Sequence, residues 1–170
     1  MSTHDHRVRR LDETDVHILR PVRLEALRLH PEAYGSSYDE ESAAPLGDLA
    51  RRLLLPPTVM FGGFAGDTLA GMTGLLMSTR IKSRHSGHLF SIYVDAAHRR
   101  TGLSRALVEA AIGHARAEGL VVLSLTVTVG NDPARRLYAG LGFQTYGIER
   151  RAFRVDGVFY DSELMALDLD

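Results

Sequence analysis

At 170 residues, 45% of them hydrophobic, the chain is long enough to bury one substantial core and too short for two ordinary domains. Its formal charge of −1 lacks the basic excess expected for non-specific attachment to nucleic acid or membranes. With no cysteine, it has no disulfide, no thiolate nucleophile and no cysteine-ligated metal.

The opening residues 1–7 contain no apolar signal core, and no segment reaches the roughly 20 apolar residues of a membrane span. A soluble cytoplasmic protein is expected, a single α/β domain over 1–170, with no nucleic-acid or membrane partner. His4-Asp5-His6 resembles a metal chelator only loosely and reads better as a disordered terminus, so no metal is expected. Residues 8–10 suit an opening strand. Asp12 to Asp15 then supply capping residues for a helix through Leu24, Leu27 and Leu29, with Ile18, Val22, Leu24 and Leu27 near helical spacing. Pro21 conflicts with that helix, because it removes a hydrogen bond and kinks the axis. His30-Pro31 ends the run, and residues 34–38 read as loop. The acidic run Asp39-Glu40-Glu41 fits a helix N-terminus, an exposed loop or an attractor of cationic amines.

A second helix is expected over 46–54, stopped by Pro56-Pro57. Strands follow over 59–65 and 69–78, joined at Gly66-Asp67, and a third covers 87–94. The helix from 103 to about 118 carries Leu103, Ala106, Leu107 and Ala110 on one stripe, widened by Val108, Ile112 and Ala115. Gly119 is its natural left-handed stop. Residues 121–129 alternate, with Leu123, Leu125, Val127 and Val129 on one face and Ser124, Thr126 and Thr128 on the other, a hydroxyl-lined face suited to a wet cleft. A short helix follows, with Asp132 able to cap it, Pro133 at its start, Ala134, Leu137, Tyr138 and Leu141 at helical spacing, and Gly142 as its stop. Final strands are expected near 143–148 and 159–167.

Between the 87–94 strand and the long helix lies His98-Arg99-Arg100-Thr101-Gly102-Leu103-Ser104-Arg105. A strand, a glycine-bearing loop and a helix build an anion cradle, because the first helical amides lack internal partners and sit at the positive end of the helix dipole. Gly102 permits close approach of a pyrophosphate, and Arg99, Arg100 and Arg105 add positive charge. A phosphate-bearing ligand is therefore expected. Neither a G-x-x-x-x-G-K-[ST] nor a G-x-G-x-x-G run is present, which disfavours a nucleotide-binding protein.

Ile92-Tyr93-Val94-Asp95, the Arg99 to Ser104 loop, Asn131, Tyr138 seven residues later and Leu141-Gly142-Phe143 together resemble the GNAT family of N-acetyltransferases, in order and spacing, from about 89 to 143. The resemblance implies a mixed α/β fold, with a splayed sheet of about seven strands flanked by about four helices. Acetyl-CoA, as cosubstrate, would lie in a V-shaped opening between the strands ending near Val94 and Val129. The backbone of Ile92, Tyr93 and Val94 would hold the acetyl carbonyl and pantetheine arm. Arg99, Arg100, Thr101, Gly102, Leu103 and Ser104 would hold the pyrophosphate. Asn131 would contact pantetheine or nearby backbone, and Tyr138 would point its hydroxyl at the thioester sulfur. Ser104 departs from the family's glycine or alanine at that position, which bears on the tightness of binding.

The implied reaction is N-acetylation of a primary amine by direct attack on the thioester in a ternary complex. A base must deprotonate the amine, and a donor assists the departing thiolate. Tyr138 fits the donor. Family branches place a glutamate where this chain has His88 or Thr126. Thr126 cannot serve as base, whereas the His88 imidazole can. Glu149, Glu41 and a water relay are reserves. Packing alone would also explain Tyr138, a solvated helix approach Arg99 and Arg100, and a helix cap Asn131. Arg150, Arg151 and Arg154 fit either an acidic acceptor group or a charged strand edge. The acceptor, whether a small-molecule amine, an amino acid, a protein N-terminus or a lysine, carries no signature, although the family places its pocket around 24–54 and 150–158. A homodimer accords with the family's habits. The alternative reading is a catalytically inactive acyl-CoA-binding regulatory module.

Overall fold

A computed structural model describes residues 6–170, so His4 and Asp5 lie outside the described residues, as does most of the 1–7 stretch. Among the described residues, seven strands form one mixed sheet: β1 (His6–Arg10), β2 (Thr58–Ala65), β3 (Thr68–Met77), β4 (Ser86–Val94), β5 (Val122–Thr128), β6 (Gln144–Val155) and β7 (Val158–Asp168). They lie in the order β1-β2-β3-β4-β5-β7-β6. Five α-helices accompany them: α1 (Val16–Leu29), α2 (Tyr38–Ala43), α3 (Leu46–Leu53), α4 (Leu103–Ala117) and α5 (Asp132–Gly140). No helix is long and apolar enough to cross a membrane, among the described residues.

Strand alternation sends successive side chains to opposite faces. Val59, Leu75, Leu89 and Leu123 meet Leu103, Leu107, Val108 and Ala111 of α4 on one face. Met60 and Met72 meet Leu19 and Ala26 of α1 and Leu49 and Leu53 of α3 on the other. All neighbouring strands are antiparallel except β4 and β5. Those two run parallel because α4 carries the chain back across the sheet between them. Their ladder is short: only Ser86, Gly87 and His88 pair with Val122, Leu123 and Ser124. Beyond His88 the strands diverge. Just past that point β4 bulges, because Met72 opposes Tyr93 and Gly74 opposes Phe90, leaving Ser91 and Ile92 across from Thr73. Ser91 adopts φ +53 there.

Three expectations are corrected. The first helix continues uninterrupted across Pro21, since burial of Leu19, Ala26 and Leu27 outweighs one missing hydrogen bond. Its buried face also includes Arg23, which apolar periodicity cannot predict. The 34–38 loop ends in a helix the expected elements lacked: Ser37 and Glu40 form a reciprocal capping box that starts α2, with Asp39, Glu40 and Glu41 in its first turn. The last two strands form one long hairpin, and residues 150–155 are strand rather than connection. Asp156 (φ +49) and Gly157 (φ +83) make its two-residue turn, and Arg150, Arg151 and Arg154 are exposed on the edge strand.

The Thr73 hydroxyl is fully buried without a hydrogen-bond partner. An unsatisfied buried hydroxyl costs about 1–3 kcal/mol, so Thr73→Val should raise the melting temperature. A lowered melting temperature would show that the hydroxyl is bonded in solution.

Candidate active site

The divergence of β4 from β5 opens a cleft of about 1130 Å³, floored by the two strands and closed by α5, the N-terminus of α4 and the 30–36 segment. Thr128 Oγ1 donates to the Glu32 carbonyl at 3.1 Å and ties that segment to β5. Thr126 and Thr128 line the cleft, while Leu123, Leu125 and Val127 are buried in the core. Val129, expected on the same apolar face, is exposed.

At one end stands the 98–105 loop. Gly102 is the N-cap of α4 at φ +89, and no side chain caps this helix end. The first helical bond runs from the Ala106 amide to the Gly102 carbonyl at 3.0 Å. The amides of Leu103, Ser104 and Arg105 therefore present themselves without helical acceptors. A methyl group built on Gly102 would meet nothing within 4 Å, so the approach is open. Arg100 adopts φ +61, a second left-handed residue in the same loop. Arg99, Arg100, Gly102, Ser104 and Arg105 all line the cleft. Arg99 donates to the Val94 carbonyl and to His30 Nε2, each at 3.3 Å, and Arg105 Nε donates to Glu109 at 2.8 Å. Two members of the expected set, Thr101 and Leu103, do not line the cleft. The Leu103 side chain is completely buried in the core, and Thr101 Oγ1 donates to the His98 carbonyl at 2.6 Å. A diphosphate suits this end of the cleft: free amides, a helix dipole, three arginines and a glycine that blocks nothing.

Ile92, Tyr93 and Val94 lie along the floor. The Ile92 carbonyl accepts from the Tyr34 hydroxyl at 3.3 Å, and the Tyr93 hydroxyl donates to Glu25 at 2.7 Å. Asn131 lines the cleft and is also the cap of α5, accepting from the Ala134 amide at 3.4 Å; of the two capping candidates, Asn131 and Asp132, it is Asn131 that caps.

Tyr138 projects from α5 into the cleft, 6% exposed, its ring against Phe143 at 6.2 Å. Its hydroxyl makes no hydrogen bond to the described residues. Burial, and then Tyr34, push its pKa well above the ordinary phenol value, so it keeps its proton at any physiological pH.

His88 sits where β4 and β5 part. Its Nδ1 lies 2.9 Å from Ser124 Oγ, and Ser124 in turn donates to the Gly87 carbonyl at 3.5 Å. That chain assigns the proton to Nδ1 and leaves the Nε2 lone pair free. Burial holds the imidazole below its ordinary pKa of 6.5, so it is neutral at pH 7. Of the reserve bases, Glu149 is exposed on β6 and lines none of the cleft. Although burial opposes it, Arg23 and Arg52 hold the Glu41 carboxyl below its ordinary range, and its oxygens accept from Arg23 at 2.6 Å each and from Arg52 at 3.2 Å.

Several cleft residues have no signature in the sequence. Arg23, Tyr34 and Phe153 reach it from α1, the 30–36 segment and β6. Ser124, which orients His88, was legible only as one hydroxyl of an alternating strand.

The model of the acetyltransferase (GNAT) family matches residues 23–143. A mycothiol acetyltransferase of Thermobispora bispora is 31% identical over 128 residues, 72% of this chain and 43% of that protein. The N-alpha-acetyltransferase RimI of Mycobacterium tuberculosis is 34% identical over 107 residues, 63% of this chain and 65% of its own. The chain thus spans only 43% and 65% of the length of these two relatives. Among solved structures, a GNAT-family acetyltransferase from Streptococcus pneumoniae superposes with a TM-score of 0.81 at 25% identity, covering 96% of this chain and 99% of that one.

Proposed function

Because the chain belongs to the acetyltransferase (GNAT) family, we propose that it acts as one acetyl-CoA-dependent N-acetyltransferase domain transferring an acetyl group directly to a primary amine. One observation carries this reading: an uncapped, glycine-led helix N-terminus and a buried tyrosine hydroxyl with no hydrogen-bond partner among the described residues open into the same cleft. Acetyl-CoA, when bound, supplies an activated acyl carbon on a thiol leaving group.

The residues divide the work. Amides of Leu103 to Arg105, with Arg99 and Arg100, hold the diphosphate. The β4 backbone around Ile92 orients the acyl group and offers an amide to its oxygen. His88 Nε2 takes a proton from the amine, which arrives as an ammonium, directly or through water. Tyr138 donates a hydrogen bond to sulfur as the carbon–sulfur bond breaks. Amine nitrogen gains the acetyl group as the carbon–sulfur bond breaks; of the two protons the ammonium loses, one passes through His88 to solvent and the other reaches the departing sulfur, directly or through water, so that coenzyme A leaves as the thiol. Without a cysteine, an acyl-thioenzyme has no nucleophile.

The test is acetyl transfer to a panel of amines, peptides with free N-termini included, read by thiol release and product mass. The names of the relatives, a mycothiol acetyltransferase and an N-alpha-acetyltransferase, make mycothiol lacking its acetyl group and a peptide α-amine the first two acceptors to try. Thiol release that depends on the amine supports the enzyme. Coenzyme binding without release on any acceptor favours the inactive regulatory module.

His88 also predicts a pH profile. Only neutral imidazole accepts a proton, and its folded pKa is depressed, so kcat/KM should rise with pH through a midpoint below 6.5 and level off by about pH 7. His88→Ala should lower the plateau and erase that limb. An unchanged limb assigns the base elsewhere.

A further inference from the structure

Behind the acyl end of the cleft lies an ion pair that the proposed chemistry does not use. The side chains of Arg23 and Glu41 are 5% and 4% exposed. Arg23 Nε and Nη2 donate to the two Glu41 oxygens at 2.6 Å each, a bidentate fork. The remaining nitrogen, Nη1, donates to Ser91 Oγ, and Nη2 also reaches Ser36 Oγ at 3.4 Å. Arg20 adds a brace, donating to the Ser42 carbonyl at 2.7 Å and tying α1 to the end of α2. One guanidinium thus joins α1, α2 and β4.

Ser91 is an unusual place for such a bond. Among the described residues four non-glycine residues have positive φ; Arg100, Arg151 and Asp156 are exposed, and only Ser91 is buried. An L side chain in this conformation is strained unless its surroundings fix it. Ser91 is also in the β4 bulge, where the ladder with β3 slips and the backbone is re-aimed beside the cleft. Buried ion pairs contribute little net stability compared with apolar packing, whereas they specify geometry when their donors are fixed.

We propose that Arg23, held by Glu41, is a positioning residue: it clamps Ser91 in the left-handed conformation and thereby sets the direction of the Ser91–Ile92 main chain toward the acyl group. This rests on the acetyl-transfer reading above. The clamp couples α1 and α2, on the acceptor side, to the strand that orients the acyl group.

The decisive variants are Arg23→Lys, Ser91→Ala, and Arg23→Lys combined with Ser91→Gly. Lysine keeps a cation beside Glu41, yet its single nitrogen cannot fork to the carboxylate and hold Ser91 together. In the ligand-free protein, amide hydrogen exchange at residues 91–93 should quicken about tenfold in Arg23→Lys while β2 and β3 stay protected. With substrates, kcat should fall about 10–100-fold in Arg23→Lys and in Ser91→Ala, with KM for acetyl-CoA within about twofold, the loss typical of misplaced reacting groups. Glycine enters the left-handed region freely, so adding Ser91→Gly to Arg23→Lys should restore much of the lost kcat. Ser91→Ala leaves the ion pair intact and so keeps the test open if Arg23→Lys folds poorly. Unchanged exchange at 91–93, undiminished kcat in Ser91→Ala, or no recovery in the folded double variant would each overturn the clamp. A wild-type protein that transfers no acetyl group would instead refute the underlying reading, and the exchange measurement would still judge the clamp.

Discussion

Tyr138→Phe should lower kcat by about 10–100-fold while leaving the affinity for coenzyme A and the melting temperature almost unchanged. The size follows from chemistry. A thiol has a pKa of about 8.5 and Tyr138 lies well above the ordinary phenol value of about 10, so complete transfer of its proton to a thiolate is uphill. What remains is a hydrogen bond to sulfur as negative charge develops, and bonds to charged groups are worth about 1.5–3 kcal/mol. The same burial that weakens Tyr138 as an acid keeps it protonated, so its contribution should not fade below about pH 10. Stability should hold because the hydroxyl has no partner to orphan among the described residues, and phenylalanine keeps the contact with Phe143. Equal kcat in the two proteins would reduce Tyr138 to a packing residue.

Gly102→Val should weaken coenzyme A binding at least tenfold and barely move the melting temperature. Gly102 adopts φ +89, where a β-branched residue is a severe outlier costing about 1–2 kcal/mol or more. Nothing packs against this position, so the free loop can relax out of the strained geometry. Binding must restore it, and the strain is then charged to affinity, about 1.4 kcal/mol per tenfold. The isopropyl group would also project into the approach used by the diphosphate. Gly102→Ala should show a smaller effect in the same direction, measured by calorimetry. Wild-type affinity in both variants would mean that the helix N-terminus does not hold the ligand.

Much of this site was legible because it is local. The cradle showed as a glycine-bearing loop opening a helix, the family resemblance singled out Asn131 and Tyr138 within their short helix, and Arg99, Arg100, Gly102, Ser104, Arg105, Asn131 and Tyr138 all border the cleft. Turn chemistry marked β2 and β3 and alternation marked β5, whereas the seven-stranded sheet was what the family resemblance implied and its strand order is seen only in the structure. The acceptor side was not legible. Arg23 meets Glu41 across 18 residues and Ser91 across 68, and pairing at such separations leaves no periodic trace. A lone arginine on an apolar helix face reads as a flaw in the pattern until its partner is seen. The length of β6 was hidden by exposure, because Arg150, Arg151 and Arg154 give an edge strand the polarity of a loop. The missing α2 did leave a signal, the Ser37 and Glu40 capping box, which straddles the expected loop and the acidic run that fitted a helix N-terminus.

Glu41 illustrates the limit of residue type as a guide. A glutamate near an expected acceptor pocket suggests a base, yet two arginines occupy its oxygens and keep it ionised. His88 offers the opposite case, with one nitrogen engaged by Ser124 and the other free.

The most direct test is a crystal structure of the protein with coenzyme A. The account predicts the diphosphate within hydrogen-bond distance of the Leu103, Ser104 and Arg105 amides and the sulfur within reach of the Tyr138 hydroxyl. A coenzyme bound with its diphosphate away from that helix end, or its sulfur remote from Tyr138, would contradict it.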